Sequence, residues 1–270
     1  MRIGFIARPI EDDFEFAALK DIPCVEFNFS DDLEATRRVS EIKAWRVKYE
    51  VAISHVGLYG RNYLTDDPAE RETHLADLRR VADFAKAIGA PLVTTGGGLN
   101  PGLSLEQSCA RLLEIFPLAL HYVESLGLRL AFYNCHWTNF VVGPEAWEPV
   151  LAALPSVGIK FDPSHPLHAG NDWLTQLARW GHRVYHTHAK DTLLIEGKPF
   201  EDVPAGLGDI HWGKFFALLY HHGYKGDVNI EPHSGTWHGE LMYSGILLAR
   251  EHLEQFIAPP AMATARDFPS

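Results

Sequence analysis

The chain has 270 residues, a formal net charge of −11 and 46% hydrophobic residues, enough apolar material for one large hydrophobic core. The acidic charge disfavours nucleic acid as a partner, because it repels phosphate. No apolar stretch reaches the roughly 18 residues of a membrane span, and residues 1–10 lack the apolar segment of a signal peptide. The three cysteines have no CxxC spacing, so we expect reduced thiols in a cytoplasmic protein.

Short apolar strands alternate with amphipathic helical segments along the chain. The strands are almost continuously apolar, as strands buried on both faces are. They are predicted at residues 3–7, 23–28, 51–55, 92–95, 129–134, 158–162, 184–188 and 228–231. The helices are predicted at residues 69–88, 105–126, 144–154, 172–180 and 212–222. The second of these helices follows Ser104, a residue type that caps helix N-termini.

This repeated alternation predicts an α/β protein with the (β/α)8 TIM-barrel fold, formed by a single domain over residues 1–257. A Pro/Ala-rich tail is predicted at residues 258–270. An open doubly wound sheet is the alternative fold. It would require a glycine-rich phosphate loop after the first strand, and the sequence IGFIARPI contains none.

Three of the predicted strands end in residue types that bind metal ions: Asp162, His188 and Glu231. Because a parallel barrel gathers the C-terminal ends of its strands on one face, we expect these side chains to converge on one cation. Mixed carboxylate and imidazole ligands suit Mn²⁺, Zn²⁺, Fe²⁺ and Co²⁺, whereas Mg²⁺ prefers oxygen ligands. The expected cofactor is therefore a divalent Mn, Zn, Co, Fe or Mg ion.

Other polar and aromatic residues lie close to these positions in the sequence. The histidines are His55, His136, His165, His186 and His233. His186 and His188 are two residues apart in a strand, so they face the same side. Trp137, Trp212 and Trp237 suit the apolar faces of a sugar. The alternatives are histidines paired inside the barrel, tryptophans that cover its mouth, and an ion pair that uses Lys190 and Asp191.

Five blocks of sequence together resemble the xylose isomerase-like TIM-barrel superfamily. They are SHVG at 54–57, FDPSH at 161–165, HTHAKD at 186–191, GLGDIHW at 206–212 and IEPH at 230–233. The superfamily includes sugar isomerases, epimerases of the tagatose/psicose 3-epimerase kind, inosose dehydratases and endonuclease IV enzymes. An endonuclease IV-type activity is disfavoured by the charge of −11.

In the epimerase branch, Glu, Asp, His and Glu at the ends of strands five to eight hold one divalent cation. The resemblance implies that Asp162, His188 and Glu231 are three of these ligands, and that His165 touches the substrate. The fifth strand ends in FYNCH, so Tyr133 or Asn134 stands where a glutamate is expected. The fourth ligand is then Asn134, or His136 acts nearby as a base or replacement ligand.

The resemblance implies a metal-dependent isomerase or epimerase of a small keto-sugar or polyol, which moves a proton next to a metal-bound carbonyl. The candidate catalytic residues are Glu231, His136 and His165. The candidate substrate-binding residues are His55, Trp137, His186, Lys190, Trp212, His233 and Trp237. A keto-sugar lyase or dehydratase is the first alternative, and a non-catalytic ligand-binding barrel is the second. A homo-oligomer is also expected.

Overall fold

The structure, a computed structural model, describes residues 1–259, so most of the predicted tail at 258–270 lies outside the described residues. The barrel strands are β1 (Ile3–Ile6), β2 (Cys24–Phe29), β3 (Ala52–Leu58), β4 (Leu92–Thr95), β5 (Arg129–Tyr133), β6 (Gly158–Phe161), β7 (Val184–Ala189) and β10 (Val228–Ile230). They form a closed barrel in the order β1-β10-β7-β6-β5-β4-β3-β2. The first and last strands pair in parallel, with Ile3 opposite Val228. The predicted TIM barrel is confirmed, and the open sheet is wrong.

Helices connect the barrel strands and cover their outer surface. They are α1 (Glu11–Leu19), α2 (Val39–Lys48), α3 (Pro68–Ile88), α4 (Leu105–Ser125), α5 (Pro144–Ala153), α6 (Ser164–His168), α7 (Trp173–Trp180), α8 (Trp212–His221) and α9 (Met242–Glu254). Within residues 1–259, none of them is long and apolar enough to cross a lipid bilayer.

Local sequence explains where the two longest helices begin and end. The Asp67 side chain accepts a hydrogen bond from the backbone N–H of Ala69 at the start of α3, and α3 ends at Gly89, whose φ is +82°. Glycine adopts this left-handed conformation without steric cost. Ser104 and Gln107 form a reciprocal capping box at the start of α4. The predicted role of Ser104 as an N-cap is confirmed.

Helices α1, α2, α6 and α9 were not predicted from the sequence, and neither was a hairpin between β7 and α8. After β7 the chain forms an antiparallel hairpin of β8 (Asp191–Ile195) and β9 (Lys198–Val203) before it reaches α8. The hairpin turns at Glu196 and Gly197, where φ is +52° and +74°, as a two-residue turn with two left-handed residues requires. Because β7 ends at the C-terminal face of the barrel, the hairpin lies beside the predicted site.

Candidate metal centre

The three predicted ligands that end barrel strands meet on one face of the barrel. Asp162 directly follows β6, His188 lies near the end of β7, and Glu231 directly follows β10. One ligand atom from each lies within 4.8 Å of the other two. Asp162 and His188 are fully buried, and the Glu231 side chain is 8% exposed. The barrel therefore brings together residues that are up to 69 positions apart in the sequence.

One oxygen of Asp162 is buried and has no hydrogen-bond partner among the described residues. The other oxygen, Oδ1, accepts the backbone N–H of Ser164, whereas Oδ2 lies 3.4 Å from His165 Nε2 and 4.0 Å from Lys160 Nζ without a hydrogen bond to either. An unpartnered buried carboxylate oxygen is unfavourable, and a cation at this position would satisfy it. Two carboxylates and an imidazole are also suitable donors. The cluster of Asp162, His188 and Glu231 could therefore hold a metal ion.

Glu26 on β2 is a member of the site that sequence reasoning missed. It lies across the barrel interior from β7, where Oε1 contacts His188 Nε2 and Oε2 contacts His186 Nε2, each at 2.6 Å. His55 Nδ1 is 3.3 Å from Oε2. We call these four fully or almost fully buried residues the histidine cluster: Glu26, His55, His186 and His188. The signal was a carboxylate within the apolar run CVEFNF, since a buried charge must be paired.

Burial and charge shift the pKa values of the histidine cluster in opposite directions, upward for His188 and downward for His55 and His186. Burial opposes ionisation of Glu26, but His188 and the neighbouring histidines outweigh it and hold the Glu26 pKa well below its usual range. Burial alone would lower the His188 pKa, yet the carboxylate of Glu26 raises it. For His55, burial dominates and lowers the pKa to about 3, and it also lowers the pKa of His186.

His188 therefore connects the histidine cluster to the predicted ligands. Its Nε2 faces Glu26, and its Nδ1 contacts Glu231 Oε2 at 2.5 Å. A carboxylate on one ring nitrogen fixes the tautomer and orientation of a metal-binding histidine. With Nε2 protonated toward Glu26, the Nδ1 atom is the one available to an ion beside Glu231 and Asp162.

Two lysines lie next to the carboxylates, and Lys160 was also missed from the sequence. Its Nζ is 4.0 Å from Asp162 Oδ2 and 3.9 Å from Glu231 Oε2, and its side chain is 1% exposed. Lys190 Nζ lies 3.1 Å from Glu231 Oε1 and 3.4 Å from Asp202 Oδ2. Burial opposes ionisation of Glu231, but Lys190 and the hydrogen bond from His188 hold its pKa well below the usual range.

Strand pairing is irregular beside Glu26 and Lys160, the two charged residues that were not predicted from the sequence. The register of β2 against β3 shifts between Val25 and Glu26. The register of β6 against β7 shifts between Ile159 and Lys160. Such irregularities re-aim a side chain relative to the regular alternation of a strand. The inward direction of these two charges is therefore set by strand pairing, which the sequence does not encode locally.

A cavity of about 410 Å³ opens next to these groups, and we call it the mouth cavity. Among the predicted residues, those that line it are Trp137, His165, Lys190, Glu231 and His233. Tyr59 and Lys160, which were not predicted, also line it. Tyr59 and Trp137 stack with their ring centroids 6.1 Å apart. The cavity thus combines aromatic faces with charged and polar groups.

The residues at the end of β5 and in the loop after it have other contacts. The Asn134 amide donates to the backbone oxygen of Asp162 at 2.9 Å and accepts from its backbone N–H at 3.0 Å. The Tyr133 hydroxyl donates to the backbone oxygen of Trp137 at 2.9 Å. His136 is exposed and lines a different cavity, of about 320 Å³. The roles of Asn134 as a ligand and of His136 as a base stay predictions.

The remaining predicted substrate-binding residues do not line the mouth cavity. His55 and His186 belong to the histidine cluster. Trp212 is 2% exposed, and its indole N–H donates to Asp191 Oδ2 at 2.8 Å. Trp237 is half-buried, and its ring packs closely against Gly245 of α9. A Cβ atom added to this glycine would lie 3.2 Å from the ring. Their contact with a substrate stays a prediction.

Comparison with known proteins places the chain in a family. Residues 14–256 match the family described as Xylose isomerase-like TIM barrel. The uncharacterized protein YfiH of Bacillus subtilis (strain 168) is 32% identical over 142 residues, which cover 45% of this chain and 44% of that protein. The match therefore spans less than half the length of this relative.

Solved structures share the fold at low sequence identity. D-psicose 3-epimerase from Clostridium cellulolyticum H10, solved with D-tagatose, has a TM-score of 0.76 at 15% identity and covers 95% of this chain and 99% of its own. The IOLI protein with a binding zinc atom has a TM-score of 0.80 at 13% identity and covers 96% of this chain and 100% of its own. Such identities show the fold alone. Together with the closed barrel, the family match shows that this chain belongs to the xylose isomerase-like TIM-barrel family.

Proposed function

We propose that this protein is a divalent-metal-dependent isomerase or epimerase that acts on a small keto-sugar or polyol. The observation that carries the proposal is the convergence of Asp162, His188 and Glu231 beside the mouth cavity, with Asp162 Oδ2 left without a hydrogen-bond partner among the described residues. Structures of sugar epimerases with the same barrel support a sugar as the substrate.

Asp162, His188 and Glu231 would hold the ion. When bound, a divalent ion polarises a carbonyl oxygen and stabilises the negative charge that develops on it. Glu26 acts from the other side of His188, where it accepts the Nε2 proton and orients the ring. Asn134 orients Asp162 through the two hydrogen bonds to its backbone, and it is also a candidate fourth ligand.

Glu231 and His165 are the cavity residues that would move a proton next to the carbonyl. The pKa of Glu231 is held well below its usual range, so this carboxylate is ionised near neutral pH and can accept a proton. Burial lowers the pKa of His165 to about 4, so its imidazole is neutral and can accept or donate through Nε2. His136 is a further candidate base on the neighbouring loop.

The other lining residues suit a sugar in the mouth cavity. Tyr59 and Trp137 offer aromatic faces to its C–H groups. Lys190 and His233 offer polar groups to its hydroxyls. We also propose a cytoplasmic location, which agrees with the three free cysteines, and a homo-oligomeric state.

A lyase or dehydratase acting on a keto-sugar is the second candidate, and one substitution favours it. Tyr133 or Asn134 stands where the resemblance implies a glutamate, and neither is a carboxylate; the Tyr133 hydroxyl is bound to the backbone of Trp137 and the Asn134 amide to the backbone of Asp162. Epimerisation by two carboxylates requires one on each face of the reacting carbon. Elimination of water from a keto-sugar requires a base that takes the α-proton and an acid that protonates the departing hydroxyl, and Glu231 and His165, which both line the cavity, would supply these two roles.

The test is elemental analysis by ICP-MS, followed by a turnover screen against keto-sugars and polyols. We expect about one equivalent of Mn, Zn, Co, Fe or Mg in the wild-type protein, since the three donors define one site. Asp162→Ala/His188→Ala should lose the metal and the turnover while keeping the barrel by circular dichroism. The matched control is Asp31→Ala/His121→Ala, which changes the same residue types at exposed positions.

The outcomes separate the candidate functions. Metal lost only in the Asp162→Ala/His188→Ala variant, with sugar turnover in the wild type, supports the proposal. The product then distinguishes an epimer or isomer from a dehydrated sugar. Absence of metal after reconstitution contradicts the metal dependence, and absence of turnover as well points to a ligand-binding barrel. Unchanged turnover in either Asp162→Ala or His188→Ala would also contradict the proposal.

A further inference from the structure

Lys160 places a positive charge inside the barrel, next to the candidate metal ligands. It lies on β6, two residues before Asp162, and its side chain is 1% exposed. Lys160 lines the mouth cavity together with Glu231 and Lys190. Burying an amine in a barrel wall is unfavourable unless opposite charges compensate for it.

The compensating charges are the two carboxylates that would hold the ion. Within residues 1–259, Asp162 and Glu231 are the carboxylates within 4.0 Å of the Lys160 Nζ. At distances of 4.0 and 3.9 Å the amine makes an ion pair with each oxygen but a hydrogen bond with neither. Lys160 is thus paired with these two carboxylates by charge and not by a hydrogen bond.

Even without a divalent ion, two lysines offset part of the negative charge of these carboxylates. Asp162 and Glu231 carry two negative charges, and Lys160 and Lys190 each carry a positive charge within 4.0 Å of at least one of them. Lys190 is shared with a third carboxylate, that of Asp202, at 3.4 Å. Lys160 has no such further carboxylate partner within 4.0 Å among the described residues, so its ion pairs are both with candidate metal ligands.

A divalent ion bound to the same oxygens would lie close to this amine. Metal–carboxylate distances are about 2.0–2.2 Å, so an ion on Asp162 Oδ2 would lie within about 6 Å of Nζ, which is 4.0 Å from that oxygen. Like charges at such a separation in a protein interior repel strongly enough to change an affinity by at least about one order of magnitude. The ammonium group and the ion therefore compete for the same carboxylates.

We propose that Lys160 is a built-in cation of this site, which shares the carboxylates of Asp162 and Glu231 with a divalent ion and keeps the affinity for that ion low. The inference rests on the proposed function in so far as the three ligands bind metal. It assigns to Lys160 the role of setting how tightly the metal is held. The site would then load reversibly and lose its ion on dialysis against a chelator.

The experiment compares the affinities of the apo wild type, Lys160→Met and Lys160→Gln for Mn²⁺ and Zn²⁺, by titration against a chromophoric chelator. Methionine keeps the length of the side chain without its charge, and glutamine keeps some polarity. We expect both neutral variants to bind metal at least about tenfold more tightly than the wild type. The matched control is Lys198→Met, on the exposed part of β9, which should leave the affinity unchanged.

The outcomes distinguish this inference from the proposed function. Metal binding by Lys160→Met or Lys160→Gln but not by the wild type supports the inference and contradicts metal dependence of the wild type. Equal affinities in the wild type and both variants overturn the inference and leave the metal site intact. No binding in any protein overturns both. Loss of the fold in both variants would mean that the charge of Lys160 is required for folding, and this result would also overturn the inference.

Discussion

Glu26→Gln tests whether the buried carboxylate organises the barrel interior and, through His188, the candidate metal site. In the structure, Oε1 accepts from His188 Nε2 and Oε2 accepts from His186 Nε2, each at 2.6 Å. Each oxygen also accepts from an amide, Asn28 at 3.0 Å or Asn229 at 2.5 Å. Glutamine keeps the shape of the side chain, but one of its two terminal atoms is a donor and cannot accept.

The expected loss of stability in Glu26→Gln follows from these contacts. Hydrogen bonds to charged groups contribute about 1.5–3 kcal/mol each. In either orientation of the glutamine amide, its NH₂ group faces one histidine N–H and one asparagine NH₂ group, and both of these hydrogen bonds are lost. The remaining histidine then donates to a neutral oxygen instead of a carboxylate, which weakens that hydrogen bond. Rotation of an asparagine or a change of histidine tautomer recovers part of this loss. We expect the free energy of unfolding to fall by about 3 kcal/mol, out of a typical 5–15 kcal/mol.

The assay is urea denaturation of the wild type, Glu26→Gln and Glu15→Gln at neutral pH, where Glu15→Gln is an exposed control. A second readout is the His188 pKa by NMR. Burial lowers this pKa and Glu26 raises it, so it should fall in Glu26→Gln. A loss of stability below about 1 kcal/mol, together with an unchanged His188 pKa, would refute the reasoning.

Three further predictions concern the loop after β8–β9, acid stability and the sugar site. Asp191→Ala removes the acceptor of three backbone N–H groups and an indole N–H. We expect the free energy of unfolding, measured by urea denaturation, to fall by about 3 kcal/mol or more. A change near zero would contradict this role of Asp191. Burial lowers the pKa of His55 to about 3, so this residue stays neutral in the folded protein. In the unfolded chain the same histidine binds a proton below about pH 6.5. The free energy of unfolding therefore falls as the pH drops, by about 2 kcal/mol at pH 5 from this residue. His55→Asn should flatten the unfolding free energy between about pH 5 and 7, and an unchanged slope would argue against a neutral His55. Trp137→Ala, at a side chain that is 51% exposed and lines the cavity, should raise KM for the sugar about three- to tenfold with stability within about 0.5 kcal/mol, and an unchanged KM would exclude stacking on this ring.

The sequence determined the barrel and the three ligand candidates because both depend on local pattern. Short apolar strands separated by helical segments leave few folds other than a TIM barrel. Asp162, His188 and Glu231 each lie at the end of such a strand, and parallel strands in a barrel end on one face. Their convergence within 4.8 Å therefore follows from the positions of the strands in the chain.

Only the tertiary structure decided what surrounds these residues. Glu26 lies on the second strand and His188 on the seventh, and no local pattern brings them to 2.6 Å. Lys160 faces inward beside a shift in strand register, which depends on the pairing of two distant segments. The direction of His136 away from the mouth cavity and the burial of Trp212 against Asp191 depend on how loops close over the barrel. Strand periodicity predicts which residues end a strand, but contacts across the barrel arise only when all eight strands have paired.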